Sequence, residues 1–187
     1  MKPAHEILYL HGLESAPTGR KGTWLTQKHG AYAVDLNTSR ARASWASARA
    51  AGVPWDHSWP AIEDDFKVPM ERARAAIAPQ TRLIVGSSFG GAVATRLLAE
   101  GTWAGPTLLI ASAGRKLTGS DTLPADVPII LLHGREDDVV PLEDARCIAA
   151  GSGPNVMLWE VGDGHRMNSI MPSGVLDLAV AWLLARG

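Results

Sequence analysis

The stretch that decides the fold is Leu83-Ile84-Val85-Gly86-Ser87-Ser88-Phe89-Gly90-Gly91. It opens on three aliphatic residues and runs into a helix-like stretch at 89–100. Between them lies Gly86-x-Ser88-x-Gly90, the one G-x-S-x-G match in the chain. A serine at a sharp strand-to-helix turn stands clear of the sheet with its hydroxyl exposed. Glycines must flank it, because side chains there would collide with the neighbouring strand and helix. Nucleotide-binding folds also turn on glycines, but neither G-x-G-x-x-G nor G-x-x-x-x-G-K-[ST] occurs here. Ser88 is therefore the candidate nucleophile.

Outward from this stretch, short apolar runs alternate with helical patterns. Strands are expected at 6–10, 31–36, 82–86, 107–111, 127–132 and 155–161, and helices at 21–28, 70–77, 89–100, 142–150 and 173–185. Ser173 is the expected N-cap of the last helix. Leu83-Ile84-Val85, Leu108-Leu109-Ile110 and Ile129-Ile130-Leu131-Leu132 are apolar without alternation. Strands buried on both faces read this way. The order predicts an α/β fold, a mostly parallel sheet of about six strands with helices on both faces. Ligands of such sheets bind beyond the carboxyl ends of the strands, so the residues just after each strand carry the chemistry.

Those strand ends hold His11-Gly12-Leu13, the Ser88 turn, His133-Gly134-Arg135-Glu136-Asp137 and Gly162-Asp163-Gly164-His165. A serine hydroxyl needs a base to take its proton. Of the six histidines, His165 follows the last strand and is the expected base, with His57 in reserve. His133 and His11 read as structural. An imidazole base needs an acid to fix its tautomer and stabilise its charged form. Asp137 is the expected acid, in preference to its neighbour Asp138, with Asp121 as runner-up. The backbone N–H groups of Phe89 and Leu13 are the expected donors to an oxyanion.

Composition narrows the function. The chain has 187 residues, which suits one domain spanning 1–187, and its 46% hydrophobic content is enough for a core. A net charge of −1 with no basic stripe argues against nucleic acid as a partner. Cys147 is the sole cysteine, so neither an internal disulfide nor a cysteine-based zinc site is available. The apolar run 7–10 is too short for a signal-peptide core, and no stretch approaches the roughly 18 apolar residues that span a bilayer. A cytoplasmic protein without membrane association is the expectation.

The Leu10-His11-Gly12 turn, the elbow at 86–91, the stretch 133–141 with Asp137, and Gly164-His165 together resemble the α/β-hydrolase superfamily, in the order nucleophile, acid, base. Within it, Tyr9-Leu10-His11-Gly12 followed by Glu14-Ser15 is similar to the small, lid-poor serine esterases, the YqiA-like group among them. The resemblance covers essentially the whole chain. It implies hydrolysis of a small-molecule carboxylic ester or thioester by a serine nucleophile, with no cofactor and no metal. A non-catalytic binding protein on the same fold, or a serine peptidase or lyase variant, are the competing classes. Larger relatives insert a lid after the strand corresponding to 107–111. Here 112–126 reads as a short loop, too small for one. The remaining extra segment, 37–68, holds Trp45, Trp55, Trp59 and Phe66. It is expected either to wall an acyl pocket or to pack locally.

Overall fold

A computed structural model describes residues 5–53 and 64–187. Among these, six parallel strands form one sheet: β1 (Ile7–Leu10), β2 (Tyr32–Val34), β3 (Leu83–Ser87), β4 (Thr107–Ile110), β5 (Ile129–Gly134) and β6 (Val156–Val161). Their spatial order is β2-β1-β3-β4-β5-β6. The helices are α1 (Arg20–His29), α2 (Ser39–Ala50), α3 (Lys67–Ala76), α4 (Phe89–Ala99), α5 (Gly114–Thr118), α6 (Leu142–Gly151) and α7 (Val175–Leu184), with a 3-10 turn at Asp64–Phe66 before α3.

The continuous apolar runs are explained by two cores, one on each face of the sheet. Ile7, Tyr9, Leu83, Val85, Leu108, Ile110, Ile130 and Leu132 face one side, where Leu25 of α1 and Leu176, Ala179, Val180 and Leu183 of α7 cover them. Their alternates Leu8, Leu10, Ile84, Leu109, Ile129 and Leu131 face the other, against α2, α3, α4 and α6. A fully buried aliphatic side chain contributes about 1.5–3 kcal/mol. That packing holds the helices, because none of the seven carries a side-chain N-cap hydrogen bond. No helix among the described residues is long and apolar enough to cross a membrane.

Four local readings are corrected. Ser173 is not the N-cap of α7; that position belongs to Gly174, at φ 78°. The segment 37–68 contains α2, whose buried residues are only Ala41 and Trp45, too few to show a helical stripe. Helix α3 starts at Lys67, earlier than expected, with Pro69 in its first turn. Proline is tolerated there because its missing N–H would have had no partner within the helix. The stretch 112–126 is not all loop, since α5 buries Leu117 and closes on Gly119 at φ 68°. Trp55, His57 and Trp59 lie outside the described residues.

Helices α1 and α7 are joined by Asp177. It accepts from Trp24 Nε1 at 3.0 Å, pairs with His29 Nε2 at 2.7 Å and binds Lys28. Burial alone would raise its pKa, but the bonds from Lys28, Trp24 and His29 hold it at about 2. A depressed carboxylate adds stability that is complete above its unfolded pKa and fades as pH falls through its folded one. Asp177→Asn should therefore cost about 1–2 kcal/mol at neutral pH. In urea denaturation across pH, the gap to wild type should close between the unfolded value of 3.8 and about 2.

Candidate active site

The chain leaves β3 and enters α4 through Ser88, whose backbone sits at φ 52° and ψ −114°. A non-glycine residue at positive φ is strained and persists only where its surroundings dictate it. Here the Ser88 N–H donates to Ile110 O at 2.8 Å, while the Ser88 carbonyl accepts from Ala92 N at 3.1 Å and Ala113 N at 3.2 Å. The glycines leave no room for side chains. A Cβ on Gly90 would lie 2.1 Å from Leu10 O, and one on Gly86 would lie 2.5 Å from Gly90 O.

Ser88, His165 and Asp137 meet at the carboxyl edge of the sheet. His165 Nε2 lies 3.0 Å from Ser88 Oγ, and Nδ1 lies 3.0 and 2.9 Å from the two Asp137 oxygens. Nδ1 faces a carboxylate and so carries a proton, which leaves the Nε2 lone pair of neutral His165 free for the serine hydroxyl. The Asp137 side chain is fully buried. Its Oδ1 also accepts from Val139 N at 2.9 Å and Val140 N at 2.8 Å. Burial opposes its charge, but hydrogen bonds from His133, His165 and the Val140 N–H, with the His165 charge, hold its pKa well below the usual carboxylate range. Asp138, by contrast, is exposed. Asp121 is exposed as well and pairs with Arg115 at 2.6 Å.

Two histidines that the sequence marks as structural are both buried. His133 Nε2 is 2.9 Å from Val140 O and 3.2 Å from Asp137 Oδ2. Both are acceptors, so Nε2 carries the proton and steadies the carboxylate. No periodicity in the sequence signals this contact. His11 accepts from Leu36 N at 3.2 Å through Nε2, so its Nδ1 donates to Gly12 O at 2.8 Å. Burial lowers its pKa, which keeps it neutral. The turn before His165 is built by Asp163, another residue without a sequence signal. It accepts from Gly164 N at 2.8 Å and from Ser169 N and Oγ, each at 2.7 Å.

Phe89 opens α4, so its N–H has no carbonyl one turn earlier within the helix. Its ring is fixed edge-on to Phe66 with centroids 4.9 Å apart. Gly12, just before Leu13, approaches Ser88 so closely that a Cβ on it would sit 3.4 Å from Ser88 Cβ. Ser88 and His165 open into a cleft of about 1140 Å³, walled in part by Leu13, Trp45, Val53 and Val139. Met167 and Met171 instead pack in the core beneath. Among the described residues, no group of three or more His, Cys, Asp or Glu side chains is placed to hold a metal.

The parallel six-stranded sheet, with a strained serine between β3 and α4 and a histidine after β6, defines the α/β-hydrolase fold. Solved structures agree. The chain is similar to a Xanthomonas campestris pv. campestris protein assigned to the alpha/beta hydrolase superfamily, at 22% identity over 100% of both chains with a TM-score of 0.64. It is similar to mouse alpha/beta hydrolase domain-containing protein 10, at 15% identity over 92% of this chain and 87% of that one, TM-score 0.63. An esterase of Pyrococcus furiosus matches at 15% identity over 98% and 82%, TM-score 0.62. No protein-family model and no curated protein matches the sequence.

The contact between Gly90 and the end of β1 sets the height of Ser88 above the sheet. Gly90→Ala must push Leu10 and His11 away, and overpacking of this kind costs about 1–3 kcal/mol. Chemical denaturation should show at least that loss, with a far smaller change for Gly162→Ala, where a Cβ meets open space.

Proposed function

We propose that this chain is a serine hydrolase that cleaves carboxylic esters or thioesters with short acyl groups through an acyl-enzyme. The observation that carries this is the line from Ser88 Oγ to His165 Nε2 at 3.0 Å, and from His165 Nδ1 to the buried Asp137 carboxylate at 2.9 Å. Ser88 Oγ attacks the acyl carbonyl carbon while His165 Nε2 takes its proton. The carbonyl oxygen becomes an oxyanion held by the N–H groups of Phe89 and Leu13. Collapse expels the alcohol or thiol, protonated by His165, and leaves the acyl group on Ser88. Water, deprotonated by His165, then attacks the acyl carbon; the new oxyanion collapses, the bond to Ser88 Oγ breaks as Oγ takes the proton back from His165, and the acid leaves. Asp137 stays ionised throughout and steadies the imidazolium. The Pyrococcus furiosus esterase among the similar structures supports the same class.

Kinetics of variants test the roles. Ser88→Ala should abolish ester hydrolysis with the fold intact. His165→Ala should lower kcat at least about a hundredfold, the low end for loss of a general base. Asp137→Asn should cost far more than Asp138→Asn or Asp121→Asn, and the reverse order would reassign the acid.

Substrate length follows from the cleft. The stretch after β4 forms only the short α5, tied down by Arg115 to the buried Asp144 at 2.8 Å. Among the described residues, the cover near Ser88 comes from α2 through Trp45. Each methylene fully removed from water is worth about 0.8 kcal/mol, a gain an open cleft collects only for the first carbons. Across p-nitrophenyl esters, kcat/KM should peak at about two to six acyl carbons, without interfacial activation. A steady rise to long chains with a jump at the micelle concentration would contradict this.

A further inference from the structure

The cleft carries charges that ester hydrolysis does not use. Arg20 and Lys21 at the start of α1, and Arg166 directly after His165, all line it. Lys21 Nζ donates to Arg166 O at 2.8 Å, which fixes the start of α1 against the His165 turn. Asp163 faces this group, but its carboxylate already accepts three hydrogen bonds from Gly164 and Ser169. Several arginines elsewhere find carboxylates, among them Arg72 with Asp35 at 2.9 Å, Arg115 with Asp144 at 2.8 Å, and Arg146 with Glu160 at 2.8 Å, whereas the exposed Arg186 stacks on Trp182 instead. Among the described residues, the guanidinium groups of Arg20 and Arg166 have no such partner.

Arg49 of α2 also lines the cleft and lies over the Trp45 ring, 4.9 Å from its centroid, again without a carboxylate. Among the described residues, four cationic side chains thus line the cleft against three acidic ones, Glu14, Asp138 and Asp163, in a chain whose net charge is −1. Lys21 is held partly out of water at this end of the cleft. Burial drives its pKa down to about 8, Asp163 opposes the shift and Arg20 adds to it. Arg20 and Arg166 stay exposed beside it, and an anion arriving there would favour the charged form of Lys21.

We propose that the end of the cleft bounded by Arg20, Lys21 and Arg166 binds an anionic oxygen group of the substrate, a carboxylate or a phosphate, so that the preferred ester is an anion. The proposal rests on Ser88 being the nucleophile, and it adds the substrate class. Arg20 and Arg166 supply paired N–H donors suited to such a group, and Lys21 supplies charge.

Matched esters test it. Mono-p-nitrophenyl succinate is compared with the neutral p-nitrophenyl isohexanoate, which places the charge on the acyl side. Para-acetoxybenzoate is compared with its methyl ester, which places it on the leaving group. One pair should favour the anion in kcat/KM by at least about tenfold, the low end for a charge-assisted hydrogen bond. The pair that does so assigns the side. Inorganic phosphate and acetate, as competitors of a neutral ester, tell the two groups apart. The preference should fall about tenfold in Arg20→Gln/Arg166→Gln and shrink with salt. It should persist in Arg186→Gln, which removes one charge away from the cleft. Anionic esters reacting no faster than their neutral partners, or a preference that survives the double substitution, would overturn the proposal. Calorimetry of monomethyl succinate binding to Ser88→Ala needs no turnover. Where the acyl-side pair carries the preference, binding about tenfold weaker in the double variant on that background supports the anion site, and no binding overturns it. Anion binding without hydrolysis of any ester by the wild type would leave the site standing and remove the serine hydrolase reading.

Discussion

The backbone of Ser88 is held at a positive φ, and the site is built around that constraint. The strain is tolerable because three backbone hydrogen bonds, to Ile110, Ala92 and Ala113, dictate the turn from β4, α4 and the start of α5. Gly90 lets α4 press onto the carbonyl of Leu10, and Gly86 lets it press onto β3. The same close approach brings Gly12 beside Ser88, so the position of Ser88 and the geometry of the first loop are one packing problem. A single methyl group at Gly90 would change both.

A second constraint is electrostatic. Asp137 is a fully buried carboxylate, and a buried charge is tolerated only when its acceptor sites are filled. Val139 N, Val140 N, His133 and His165 fill them. His133 matters because its Nε2 proton is shared with Val140 O, which locks the loop after β5 around Asp137. The carboxylate is then fixed in charge and orientation, and it fixes His165 in turn. The Asp163 turn closes the backbone on both sides of His165, through Gly164 and Ser169.

Strands buried on both faces leave unbroken apolar runs, so the six strands and their parallel order were legible in the sequence to within about two residues at each end. The elbow was legible because G-x-S-x-G between a strand and a helix has a mechanical reason. Elements that pack through few residues were not. Helix α2 buries only Ala41 and Trp45 and α5 is barely longer than one turn, while α3 was legible apart from its start, where a proline sits in the first turn. Contacts between residues far apart in the chain, such as the Lys21 side chain with the Arg166 carbonyl, leave no trace in periodicity. The cleft's charge balance was invisible for the same reason.

Ser88 acts as a nucleophile only if its hydroxyl is activated, and a fluorophosphonate probe reads that directly. Such probes phosphonylate a serine whose hydroxyl is being deprotonated and ignore an ordinary one. Mass spectrometry of the treated protein should place a single adduct on Ser88, with labelling slowed in His165→Ala. An adduct on Ser87 or Ser112, or none on a folded protein, would contradict it.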